Sequence, residues 1–130
     1  MAYGMQVRLE GQFESTVARV REALAEQGFG VLTEIDVQAT LRRKLSVEME
    51  QYLILGACNP PLAHRALTAD RDIGLLLPCN VVVRADGPTA VLVQALDPRL
   101  MVEVTGRPEL KPIADEATQR LRAALDSLVS

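Results

Sequence analysis

The only two cysteines of the chain stand in mirrored contexts. Cys58 closes the apolar run "LILGAC" and leads into Asn59-Pro60, whereas Cys79 follows Pro78, precedes Asn80 and opens "CNVVV". If those two runs pair antiparallel, the end of the first meets the start of the second at one edge of a sheet. The sulfurs then fall within the reach that a disulfide or a shared ligand requires. Cys58 also precedes a predicted helix N-terminus, where the helix dipole favours a thiolate. His64 follows about one turn into that helix, so Cys58, Cys79, Asn59 and His64 together form the candidate ligand-binding or redox site.

The competing reading of the same residues is packing. Cysteine is among the residue types most often buried, and it behaves as a small apolar side chain. Asn-Pro neighbours are ordinary turn and cap residues. A metal centre is not indicated, because neither cysteine belongs to a short C-x-x-C pair and a fourth ligand is missing. His64 is the only histidine, and no serine or aspartate is spaced to suggest a catalytic triad. No cofactor motif appears.

Two further stretches could hold an anion. "LRRKL" offers three adjacent cations, Arg42, Arg43 and Lys44, and arginine matches carboxylate and phosphate bidentately. The simpler reading is the solvated face of a short helix, neutralised by Glu48 and Glu50. "GFG" at Gly28 to Gly30 precedes a strand, whereas a phosphate cradle needs strand, loop and helix in that order. It is read as a helix C-cap.

The elements that must position these residues follow from hydrophobic period. Tyr3, Met5, Val7 and Leu9 alternate as in a half-buried strand. Phe13, Val17, Val20 and Leu24 recur at helical spacing up to Gly28, a stop signal. Val31, Thr33, Ile35 and Val37 return to period two and are placed on one side of a second strand. Leu41, Leu45 and Met49 mark a short helix. "QYLILGACN" is a strand apolar on both faces, and Asn59-Pro60-Pro61 caps and opens another short helix carrying Leu62, Ala66 and Leu67. Asp86-Gly87-Pro88 joins two β-branched runs as a hairpin. Pro108 opens a long amphipathic helix with Leu110, Ile113, Ala117, Leu121, Ala124 and Leu128.

With 130 residues, 48% hydrophobic and 24% charged, the chain is one domain, residues 1–130, able to bury a core unaided. Clustered strands after the first helix favour an α+β fold with a mostly antiparallel sheet, its two long helices on one face. The opposite face is expected to present Leu53, Leu55, Val82 and Leu92. That is more apolar surface than a monomer exposes, which predicts a homodimer or a ligand cleft there. The start, "MAYGMQVRLEGQF", lacks a charged-then-apolar leader, and no apolar run can span a bilayer. The expected location is cytoplasmic, with free thiols. A net charge of −3 and the absence of tryptophan set nucleic acid aside as a partner.

The stretches "YLILGACNPPLAHRAL" and "IGLLLPCNVVV", with the Gly-Phe pair after the first helix, resemble the bacterial and archaeal domains of the domain-of-unknown-function family 302. The positions that match its motif are Cys58, Pro60, Leu77, Pro78, Cys79 and Val83. The resemblance implies a β-α-β(4)-α fold, like half of the TATA-binding-protein architecture, and no established activity. The resulting expectation is a homodimeric binding module for a small apolar or amphipathic ligand or a partner chain. The alternative is a thiol-based redox or sulfur-handling protein using Cys58 and Cys79.

Overall fold

A computed structural model describes residues 2–129. Strand β1 (Gly4–Glu10) leads into helix α1 (Phe13–Glu26), which stops where Gly28 takes φ 85°. The stop is a paired one: Gly28 N donates to the Ala25 carbonyl and Phe29 N to that of Leu24, at 3.0 and 2.9 Å. A side chain at Gly28 would be strained there. This confirms "GFG" as a C-cap.

Strand β2 (Gly30–Asp36) runs directly into helix α2 (Val37–Leu45), capped by the Asp36 carboxylate, which accepts from Ala39 N at 2.9 Å. Strand β3 (Tyr52–Cys58), helix α3 (Pro60–Ala69) and a 3₁₀ turn (Arg71–Leu76) bring the chain to β4 (Cys79–Ala85). Strand β5 (Ala90–Leu96), a short helix α4 (Leu100–Thr105), a 3₁₀ turn (Pro108–Leu110) and the long helix α5 (Lys111–Val129) complete the order.

The five strands form one sheet in the order β1-β5-β4-β3-β2, and every neighbouring pair is antiparallel. Helices α1 and α5 pack on one face. Between them and the sheet lie Leu24, Leu55, Val81, Val93, Leu121 and Leu125, all buried. The predicted stripe is buried at every position from Leu110 to Leu128, although Pro108 and Leu110 form the 3₁₀ turn and α5 itself begins at Lys111.

Three expectations change. Leu53 and Leu55 do not lie on the face away from the helices: they pair with Val83 and Val81, and Leu55 sits in the main core. The outward face carries Ile54, Val82 and Leu92 instead, since Ile54 is opposite Val82 and Leu92 opposite Arg8 and Arg84. That face is also polar. Arg84 Nε donates to Gln94 Oε1 at 3.2 Å, and Gln94 Nε2 donates to Gln6 Oε1 at 3.0 Å. The apolar surplus that suggested a homodimer is therefore smaller than the pattern implied.

On β2, a register shift between Val31 and Thr33 makes Leu32 an extra residue. Val31 packs against the core, while Thr33 and Ile35 point the other way. Val37 already belongs to α2. A bulge re-aims every side chain beyond it. Helix α2, finally, ends at Ser46 in the left-handed region, so Met49 lies outside it, and Leu45 is exposed. Its cations stand in solvent in the last turn, favourably to the helix dipole, with Arg42 3.4 Å from Glu48. Among the described residues no helix is long and apolar enough to cross a membrane.

Candidate functional site

The β3–β4 register opposes Ala57 to Cys79, so Cys58 is the next residue along its strand. Antiparallel pairing thus brings both cysteines to one end of the sheet, as their positions in sequence require. Both are half-buried free thiols.

The chain between them is shaped by caps. Asn59 Oδ1 accepts from Leu62 N at 3.3 Å, and Pro60 and Pro61 fill the first helical positions, where no N–H is needed. Asn59 Nδ2 donates to the Gln27 carbonyl at 3.5 Å, and Arg120 Nη1 reaches that carbonyl at 3.3 Å. One oxygen therefore ties the end of α1 to the start of α3 and the middle of α5. At the other end of α3, buried Asp70 accepts from Asp72 N at 3.0 Å and meets Arg107 Nε at 3.3 Å. The chain then passes through a cis Leu77–Pro78 peptide into Cys79.

Bordered by this excursion is a half-open cavity of about 310 Å³. Phe29 and Leu32 border it from the β2 side, Leu62 and Ala66 from α3, Met101 from α4 and Ile113 from α5; Cys58 and Cys79 both line it. Its other polar side chains are Thr33 and Asn59, and both amide atoms of Asn59 are already engaged in the cap and at Gln27. No carboxylate, imidazole, ammonium or guanidinium lines it. Its volume is near the lower limit of small-molecule sites, and its lining is as apolar as theirs. Leu32, pushed outward by the bulge and 69% exposed, stands at its margin.

Of the four predicted site residues, the structure brings Cys58, Cys79 and Asn59 to this cavity and leaves His64 out. Leu62 and Ala66 mark the buried side of α3. His64, two residues from each, is turned roughly 200° from them and lies exposed. The Cys-Cys-His cluster therefore does not form. Asn59 acts as a cap, its amide oxygen held by Leu62 N and its amide nitrogen by the Gln27 carbonyl.

Cys79 is also a poor thiolate. Burial, and secondarily the neighbouring Cys58, push its pKa from 9.0 up to about 11. At neutral pH only about one molecule in ten thousand would carry the charge. The cavity thus offers shape, apolar surface and sulfur, and no acid–base machinery.

The sequence pattern did not foresee Phe29 or Met101 as wall residues. Phe29 follows a helix stop and carries no periodic signal. Met101 lies on a six-residue helix, too short for period to reveal. The Leu62–Ala66 pair was legible from spacing.

The chain matches the family model described as Domain of unknown function DUF302 over residues 5–128. Among solved structures it is similar to the crystal structure of an uncharacterized conserved DUF302 protein from Bacillus stearothermophilus, with 31% identity and a TM-score of 0.88. That likeness covers 97% of this chain and 98% of the other. No curated protein matches it.

Proposed function

This chain belongs to the DUF302 family, and we propose that it is a binding module whose ligand is a small apolar or amphipathic molecule held in the cavity between β3, β4 and α3. The supporting observation is the cavity's lining: about 310 Å³ of space walled by aliphatic and aromatic side chains. An apolar cavity gives water too few partners to stay, so it favours a ligand that needs none. Burial of the ligand's surface would supply the affinity, roughly 25 cal/mol per Å² before the costs of association. The absence of an acid or base from the lining supports binding over turnover.

The test is a thermal-shift series on the reduced protein with 1-anilinonaphthalene-8-sulfonate and aliphatic alcohols of rising chain length. A probe at about a hundred times its Kd adds about 2.7 kcal/mol, a rise in Tm on the order of 10 °C for a chain of this size. Ala63→Phe, at a half-buried wall position, should abolish the shift while the fold persists. Stabilisation that is equal in Ala63→Phe, or absent for every probe, would sink the reading.

Self-association is a separate proposal. It is supported by Ile54 and Val82, paired and half-buried on the sheet face turned away from α1 and α5. Sedimentation velocity of Val82→Glu against the parent chain tests it, and identical sedimentation of the two would refute it.

A further inference from the structure

We propose that the ligand of this cavity is an unbranched aliphatic chain, held tail-first with its polar head in water, and that Ala57, Ala66 and Ala117 set the chain length accepted. This rests on the ligand reading above and narrows it to one chemical class.

Two apolar clusters meet at the cavity. Phe29 and Ala57 belong to the main core, whereas Leu62, Ala66, Met101, Ile113 and Ala117 belong to a second cluster. Residues of both line the cavity, which is therefore the gap where the two clusters do not merge. Ala57 of β3, Ala66 of α3 and Ala117 of α5 are each at most 4% exposed, so they lie at its depth. Small side chains there leave the space open, and larger ones would fill it. Leu32 and Thr33 are exposed, which puts the mouth at the bulge of β2.

Depth and mouth differ in chemistry. The lining carries two oxygen-bearing side chains: Thr33, at the mouth, and Asn59, whose amide is held by Leu62 N and the Gln27 carbonyl. A polar head carried to the depth would lose its hydration without replacement. The head therefore stays at the mouth and the hydrocarbon enters. Phe29 is the one aromatic ring in the lining, which gives a flat ring little to pair with. A flexible chain bends to fill an irregular gap between elements, and a rigid plane does not.

Volume sets the length. A cavity of roughly 150 Å³ takes benzene, with its six carbons. On that scale about 310 Å³ takes a chain of about ten carbons.

The experiment is isothermal titration calorimetry of the reduced full chain with n-alkanoates from hexanoate to tetradecanoate, each below its critical micelle concentration. Affinity should rise about fourfold with each added carbon and level off at about ten carbons. Valine brings two further carbons to an alanine position, so Ala66→Val and Ala117→Val should each lower the levelling point by about two carbons. Far-UV circular dichroism establishes that they are folded, and either variant suffices. Nonanoate and octan-1-ol carry equal tails and should bind within about tenfold of each other, because burial of the head would separate them by orders of magnitude.

Affinity that climbs unbroken through tetradecanoate would overturn the proposal, as would a levelling point that stays in place in the folded alanine variants. So would tighter binding of 1-naphthoate than of decanoate. Stabilisation by 1-anilinonaphthalene-8-sulfonate in a chain that binds no alkanoate would refute this inference and leave the ligand reading standing. Silence of every probe would refute both.

Discussion

The chemistry of Cys79 can be predicted with a worked magnitude. Its pKa moves from 9.0 to about 11, burial being the larger cause and Cys58 the smaller. At pH 8 this leaves about a hundredfold less thiolate than an ordinary thiol would have. The more basic thiolate is intrinsically the better nucleophile, and a Brønsted slope of about 0.4–0.5 returns roughly eightfold. The net expectation is reaction with a disulfide reagent slowed on the order of tenfold by protonation alone, with restricted access slowing it further. The assay is stopped-flow reaction of Cys58→Ser, whose one remaining thiol is Cys79, with 5,5′-dithiobis(2-nitrobenzoate). The native variant is compared with the same variant in guanidinium from pH 7 to 11. Removing Cys58 should leave most of the shift in place, because desolvation dominates.

The same shift has a stability consequence. The folded chain holds the Cys79 proton more tightly than the unfolded chain does. Its stabilisation is therefore whole below about pH 9 and lost as pH rises toward about 11, on the order of 2–3 kcal/mol. Replacing Cys79 with Ala should flatten the dependence of unfolding midpoint on pH across that window. Equal reaction rates in native and denatured Cys58→Ser, with a midpoint near pH 9 in both, would refute the claim that burial governs this thiol.

Other outcomes follow from neighbouring geometry. Gly56 lies under Thr33 and Pro78, and a Cβ there would collide with Thr33 Oγ1 and approach Pro78 Cγ to 2.9 Å. Gly56→Ala should cost about 1–3 kcal/mol in urea unfolding, part of which Thr33→Ala should recover; no change in midpoint would contradict the packing. Asn59→Ala loses the α3 cap and the tie to Gln27. A loss of about 1–2 kcal/mol is expected, and hydrogen exchange should quicken first at the start of α3. Leu121→Ala, fully buried between α5 and the sheet, should cost about 2–5 kcal/mol in the same unfolding assay.

Much of this molecule was readable before any coordinates. Helix α1 and its stop at Gly28, the hairpin around Asp86-Gly87-Pro88, and the buried stripe of α5 each rest on a local signal: a period, a turn chemistry or a cap. The common edge of the two cysteines followed from strand direction alone. Where the reading failed, the local signal was missing or ambiguous. "YLILGAC" is apolar on both faces, so nothing in it says which of Leu53 and Ile54 turns inward, and a one-residue choice exchanges the faces. The bulge at Leu32 arises from pairing with β3, and no feature of "GVLTEID" announces it. His64 was placed by its distance along the chain, while the angular position of Leu62 and Ala66 decided that it faces solvent.

The sequence by itself determined the elements, their order and the strand end at which the thiols meet, because periodicity, caps and turn residues act over a few positions. Only the tertiary structure decided that α3, α4 and α5 close over that end as an apolar cavity. It also supplied Met101 and Phe29. A cavity is the space left between elements distant in sequence, set by how their side chains pack, and no short stretch of residues encodes it.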